Sequence, residues 1–146
     1  MTSDRLITVD RQRFKVKVWV WNDKTNRWQR RKTYPCTIGA VGFTTPGGPY
    51  LVVARSRTPA WKAPDWADPE VAGKTFQFDD PRNPFEGGFI SLAGHPSTDG
   101  DGVGFHGTKF DPQVGTRSSH GCIRLRTKDL LNLYDRAPIG TLVFVE

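Results

Sequence analysis

The residues best suited to chemistry fall in one stretch: Gly104-Phe105-His106-Gly107-Thr108, then Arg117 to Leu125 with Ser119-His120-Gly121-Cys122-Ile123-Arg124 at its centre. It holds two of the three histidines and one of the two cysteines. A thiol becomes a useful nucleophile only as thiolate, which needs a neighbouring base or an electropositive pocket. Gly121, just before Cys122, lets the backbone turn sharply and leaves nearby amide N–H groups free to hold an oxyanion. His106 lies sixteen positions earlier, far enough along the chain to return on an adjacent strand or loop and meet the sulfur. The pattern points to acyl transfer, with Cys122 as nucleophile and His106 as the base of near-neutral pKa that takes its proton.

Other readings of the same residues are blander. A lone cysteine is by default a small buried hydrophobe, and in an oxidising compartment Cys36 and Cys122 would form a disulfide. A zinc site from His95, His106, His120 and Cys122 matches no common ligand spacing. His95, in Gly94-His95-Pro96, reads as a structural histidine near a turn, and Cys36, after Pro35, as core or surface.

The elements that must position this stretch read mostly as strands. Arg5 to Asp10 alternates weakly. Phe14 to Trp21 alternates strongly, with Phe14, Val16, Val18 and Val20 on one face and Lys15, Lys17, Trp19 and Trp21 on the other. Asn22 to Asn26 is a turn cluster, and Arg27 to Pro35 continues the meander. A Pro/Gly turn at Thr44 to Pro49 leads into a strand at Tyr50 to Ala54. Thr75 to Phe78, Gly88 to Leu92 and Val103 to His106 are further short strands. Thr127 is a candidate N-cap for a helix over Lys128 to Ala137, with Leu130, Leu131 and Tyr134 on its inner face and Pro138 ending it. Leu142 to Val145 closes the chain as a strand. Between Ser56 and Val71 periodicity vanishes, yet Trp61 and Trp66 argue against disorder, so this long loop reads as a lid or groove wall, or as a packed flap.

The 146 residues fit one domain, residues 1–146, large enough to bury roughly 68–70% of the surface of its unfolded chain without disulfides. The net charge of +6 favours an anionic partner. Arg27, Arg30, Arg31 and Lys32 around Trp28 form a basic-aromatic cluster of the kind that binds single strands, or simply a solvated strand. No RNP motif, zinc finger or helix-turn-helix is present. No apolar run is long enough to span a bilayer, and Met1-Thr2-Ser3-Asp4 is not a signal-peptide start, which leaves a cytoplasmic protein or a mature domain cut from a precursor.

His106-Gly107-Thr108 followed by Ser119-His120-Gly121-Cys122-Ile123-Arg124 resembles the signature of the L,D-transpeptidase catalytic domain (YkuD type). Thr45-Pro46-Gly47-Gly48-Pro49-Tyr50 is similar to that family's Thr-Pro-x-Gly-x-aromatic segment, and Val9-Asp10 followed by Arg13 to Val16 has its hairpin look. The resemblance implies a mainly β fold, a β-sandwich or partly barrel-like sheet core with one short helix near the C-terminus. It implies a cysteine acyltransferase that attacks the L-centre to D-centre bond of a peptidoglycan stem tetrapeptide, releases D-alanine and passes the acyl group to an amine. It further implies that carbapenems acylate the same cysteine. No cofactor is implied, nucleic acid is not an expected partner, and the location implied is extracytoplasmic. An L,D-carboxypeptidase, with water as acceptor, and an inactive wall-binding module are the alternatives.

The resemblance also distributes roles. Cys122 and His106 are catalytic. The family's third position falls on Gly107, which has no side chain, so an orienting bond to His106 must come from its carbonyl. Gly107, His120 and Gly121 are assigned to backbone orientation and the oxyanion, with the Gly121 and Cys122 amides as donors. His120 shapes the site or contacts substrate, or else moves a proton. Ser119, Thr108 and Arg124 are assigned to substrate. For Arg124 the alternative is a structural ion pair, and for Ser119 it is fixing the turn.

Overall fold

A computed structural model describes residues 4–94, 103–109 and 114–146, so His95 lies outside the described residues. The chain forms strands β1 (Arg5–Asp10), β2 (Lys15–Asn22), β3 (Arg27–Pro35), β4 (Ile38–Gly39), β5 (Gly48–Ser56), β6 (Trp61–Lys62), β7 (Thr75–Phe76) and β8 (Phe85–Gly94). It continues with β9 (Gly104–Thr108), β10 (Arg117–Ser119), β11 (Ile123–Arg126), helix α1 (Thr127–Tyr134) and β12 (Leu142–Val145). The alternation in β1, β2 and β12 sends Ile7, Val9, Val16, Val18, Val143 and Val145 into the core.

Eight strands make one sheet in the order β11-β9-β8-β5-β12-β1-β2-β3. Among the described residues the fold is mainly β with one helix, as expected, and the sheet does not close into a barrel, although the chain leaving β3 meets β11 through one antiparallel bridge. There Thr37 N–H donates to Arg124 O at 2.8 Å and Arg124 N–H donates to Thr37 O at 2.9 Å. Two small sheets sit beside the large one, β10 with β4 and β6 with β7.

Three expectations about local structure need correction. Thr127 is not the N-cap: β11 runs directly into α1, so Arg126 occupies the cap position and makes no side-chain capping bond. Asp129 in the first turn supplies the negative charge that this helix end favours. The inner face is Leu130, Leu133 and Tyr134, the i, i+3, i+4 stripe, with Ala137 buried just beyond the helix end, and Leu131 points to solvent. The helix stops at Tyr134, four residues before Pro138, where Arg136 N–H and Ala137 N–H donate to carbonyls three residues back.

The long aperiodic segment is a packed flap. Trp61 stacks on Phe76 with ring centroids 5.8 Å apart. Asn83, fully buried, holds the flap together: its Nδ2 donates to Pro59 O, Phe76 O and Gln77 O at 3.1–3.2 Å, and its Oδ1 accepts from Phe85 N–H.

Candidate active site

His106 sits in the middle of β9, a strand whose five residues are all buried. Strand β11 pairs with β9 in parallel, placing Arg124 opposite His106 and Ile123 opposite Phe105, so Cys122 enters the sheet beside the histidine strand. The imidazole lies between Phe85, at 4.8 Å, and Phe89, at 5.8 Å and nearly parallel. Its Nδ1 lies 2.7 Å from the Gly107 carbonyl oxygen. A carbonyl only accepts, so Nδ1 carries the hydrogen and Nε2 keeps its lone pair. Burial among the aromatics, reinforced by the Arg124 cation and opposed by the Gly107 bond, pushes the His106 pKa down to about 4. At neutral pH the ring is an uncharged base.

Two glycines make this placement sterically feasible. A Cβ on Gly107 would come within 1.9 Å of Glu86 O, and one on Gly104 within 2.4 Å of the Phe89 ring. Strand β8 crosses so closely because its register shifts between Glu86 and Phe89, where Gly87 and Gly88 adopt positive φ.

The turn bearing Cys122 is tied from inside. Ser119, buried, donates its Oγ–H to Cys122 O at 2.6 Å and accepts from Gly121 N–H at 3.2 Å. Gly121 has φ +112°, a value that strains any residue with a side chain. Thr45, also buried, donates from Oγ1 to Gly121 O at 2.8 Å and accepts from Gly39 N–H at 2.9 Å. Ala40 N–H donates to Ser119 O at 2.8 Å. Of the two readings of Ser119, this geometry is that of a residue fixing the turn. The Gly121 amide points into the same network.

The Cys122 thiol is held above its ordinary pKa by burial, against the opposing pull of a Gly104 backbone hydrogen bond and the Arg124 charge. Burial thus favours the uncharged form of both groups, the thiol of Cys122 and the neutral imidazole of His106. Cys36 is a different case: fully buried and pushed up to about 12, it is an inert core thiol. Both cysteines are free, so the disulfide alternative does not hold.

A groove of about 560 Å³ opens over this floor. His106, Thr108, Cys122, Arg124 and His120 line it together with Trp61, Trp66, Arg82 and Phe85. His120 is exposed on the rim, stacked on Trp66 with centroids 3.9 Å apart and edge-on to Phe43 at 4.5 Å. Burial and the Arg124 charge lower its pKa. Arg124 is half-buried beside Cys122, and burial lowers its pKa. Among the described residues no cluster of His, Cys, Asp or Glu could hold a metal. Sequence reasoning missed Phe43 and Asn83 and did not foresee the role of the Thr45 hydroxyl. Thr45 alone carried a signal, as part of the Thr-Pro-Gly segment.

Known proteins share the fold. A Bacillus subtilis (strain 168) protein named "Putative L,D-transpeptidase YqjB" is 28% identical over 112 residues, 77% of this chain and 57% of that protein. An L,D-transpeptidase from Mycobacterium smegmatis superposes with a TM-score of 0.74 at 18% identity, over 98% of this chain and 58% of that one. The L,D-transpeptidase LdtMt1 in complex with imipenem gives a TM-score of 0.70 at 15% identity, over 98% of this chain and 59% of that one. The chain thus spans somewhat over half the length of these relatives. Residues 4–145 match the model of the YkuD L,D-transpeptidase catalytic domain, and the chain belongs to that family.

Proposed function

We propose that this domain is a peptidoglycan L,D-transpeptidase that crosslinks stem peptides through a Cys122 thioester. Carrying this reading is the family match over residues 4–145, together with a cysteine turn that runs alongside a buried, neutral histidine. In the first half-reaction His106 Nε2 takes the thiol proton as the sulfur attacks the L-centre carbonyl carbon of a donor tetrapeptide. The tetrahedral oxyanion is held by backbone N–H groups of the turn, with Cys122 N–H preferred because Gly121 N–H is committed to Ser119. Collapse breaks the C–N bond, and His106 returns the proton to the departing D-alanine amine. The thioester is then attacked by an acceptor amine, which loses a proton to His106. The thiol regains that proton, and an amide crosslink is released.

The remaining groove residues orient the donor. Arg124 and Thr108 face it with a cation and a hydroxyl, and Trp61 and Trp66 supply an apolar wall. The fold shared with an imipenem-bound transpeptidase supports carbapenems as covalent inhibitors, and the family supports an extracytoplasmic site of action. No helix among the described residues is long and apolar enough to cross a membrane.

Incubation with a carbapenem followed by intact mass measurement tests the nucleophile. A single adduct on wild type, absent in Cys122→Ala and kept in Cys36→Ala, is expected, and an adduct that persists in Cys122→Ala overturns the assignment. Tetrapeptide muropeptides then test the acceptor. Crosslinked dimers are the product of transfer, whereas tripeptides alone mean that water is the acceptor and the enzyme is an L,D-carboxypeptidase.

A further inference from the structure

The solvent face of an antiparallel sheet is ordinarily polar. Here one row of directly paired residues crosses six strands as Arg30, Trp19, Leu6, Leu142, Leu51 and Ala93. A second row carries Lys17, Thr8, Phe144 and Pro49. The opposite face of the same strands holds the buried core residues, so these rows form the outer face. Leu142, Phe144, Leu51 and Val53 are 42–48% exposed. Trp19 donates its Nε1–H to Thr8 Oγ1 at 2.9 Å, which satisfies its polar end and leaves the ring among these neighbours. Large residues this exposed and this contiguous mark an interaction surface.

Charge is concentrated at the same end. Residues 1–35 hold ten Lys/Arg against three Asp/Glu, a net +7 in a chain whose total is +6. Arg27, Arg30, Arg31 and Lys32 are exposed on β3, the sheet's edge strand, with exposed Trp28 packed edge-on to Trp21 at 5.5 Å.

We propose that this outer face docks on an anionic lipid bilayer. A soluble polyanion would use the basic strand and leave Leu142, Phe144 and Leu51 in water. A purely apolar partner would leave the cations unused. An anionic bilayer satisfies both sets: lipid phosphates meet the Lys/Arg rim, Trp19, Trp21 and Trp28 sit at headgroup level, and Leu142, Phe144 and Leu51 reach the acyl boundary. Docking is independent of the thiol chemistry, and none of these residues lines the groove over Cys122.

Cosedimentation with phosphatidylcholine vesicles, with and without phosphatidylglycerol, tests the proposal, with tryptophan emission followed in parallel. Binding is expected only with phosphatidylglycerol, accompanied by a blue shift and weakened by salt. The double variant Leu142→Ser/Phe144→Ser should lose most of the binding while keeping the wild-type thermal midpoint. Lys17→Gln/Arg30→Gln should lose roughly fivefold for each basic residue neutralised. Failure to bind these vesicles, or wild-type binding by the Leu142/Phe144 variant, overturns the proposal. So does tight binding to soluble polyglutamate without vesicle binding, which would make the partner a polymer. A dimer in solution that the Leu142/Phe144 variant dissociates would make the occupant a second copy.

Discussion

The floor and the wall of the groove are built on opposite terms. On the floor, every residue of β9 is buried, two glycines leave no room for a Cβ, and the Cys122 turn is bonded from within by Ser119 and from the side by Thr45. On the wall, Trp66 is 57% exposed and meets the floor by stacking on His120, itself exposed. Under the proposed function this contrast corresponds to two tasks. Bond-making needs the nucleophile and base fixed to within a fraction of an ångström, whereas choice of substrate is served by surfaces that adapt.

That division fails or holds by substitution. On the floor, His106→Ala should lower kcat/KM by roughly 10²–10⁴-fold in a folded protein, the range for a general base. Steady-state kinetics retaining wild-type values would remove His106 from that role. Gly107→Ala should destabilise by about 3 kcal/mol or more, read by denaturant unfolding, because Glu86 O must give way. An unchanged midpoint would show that β8 yields freely and that the floor is not rigid.

Acid should act through the same buried ring. His106 has a folded pKa of about 4 against 6.5 unfolded, so the unfolded chain binds the extra proton between those values. The stability it contributes is complete above pH 6.5 and falls by roughly 3 kcal/mol as pH drops toward 4. The same shift moves the acid limb of kcat/KM to near pH 4, and a limb at 6.5 would show a solvated base. Ser119→Ala should cost roughly 2 kcal/mol by orphaning Gly121 N–H and Cys122 O. Smallest of all, Trp66→Ala should raise KM a few-fold with kcat and thermal midpoint nearly unchanged. A large loss of stability there would make the wall part of the core.

Much of this was legible before any coordinates. The alternation of Val16 and Val18 or Val143 and Val145 marks half-buried strands, because period two survives where a strand has one wet face. The family resemblance puts the histidine's orienting partner at Gly107, which can offer only its carbonyl, and Gly107 O lies at hydrogen-bond distance from the ring. Strands β4, β10 and β11 were not legible: each has two to four residues and exists through its partner rather than its own pattern. Leu133 and Leu131 exchanged places because a single short helix offers two plausible stripes until the sheet selects one. Asn83 left no trace in the sequence, since its bonds reach carbonyls that only the folded flap brings together.

The position of β12 has a kinetic consequence. It is the wedge that joins β1-β2-β3 to β5-β8-β9-β11, parallel to β1 and antiparallel to β5. Without β12 the two groups of strands share no ladder, so the continuous sheet depends on pairs that join residues 142–145 to residues 6–9 and 48–51. Such long-range pairing folds slowly, over about milliseconds to seconds. The cysteine floor, carried by β9 and β11, belongs wholly to the second group, so its own pairing does not require β12, whereas its junction with β1-β2-β3 does.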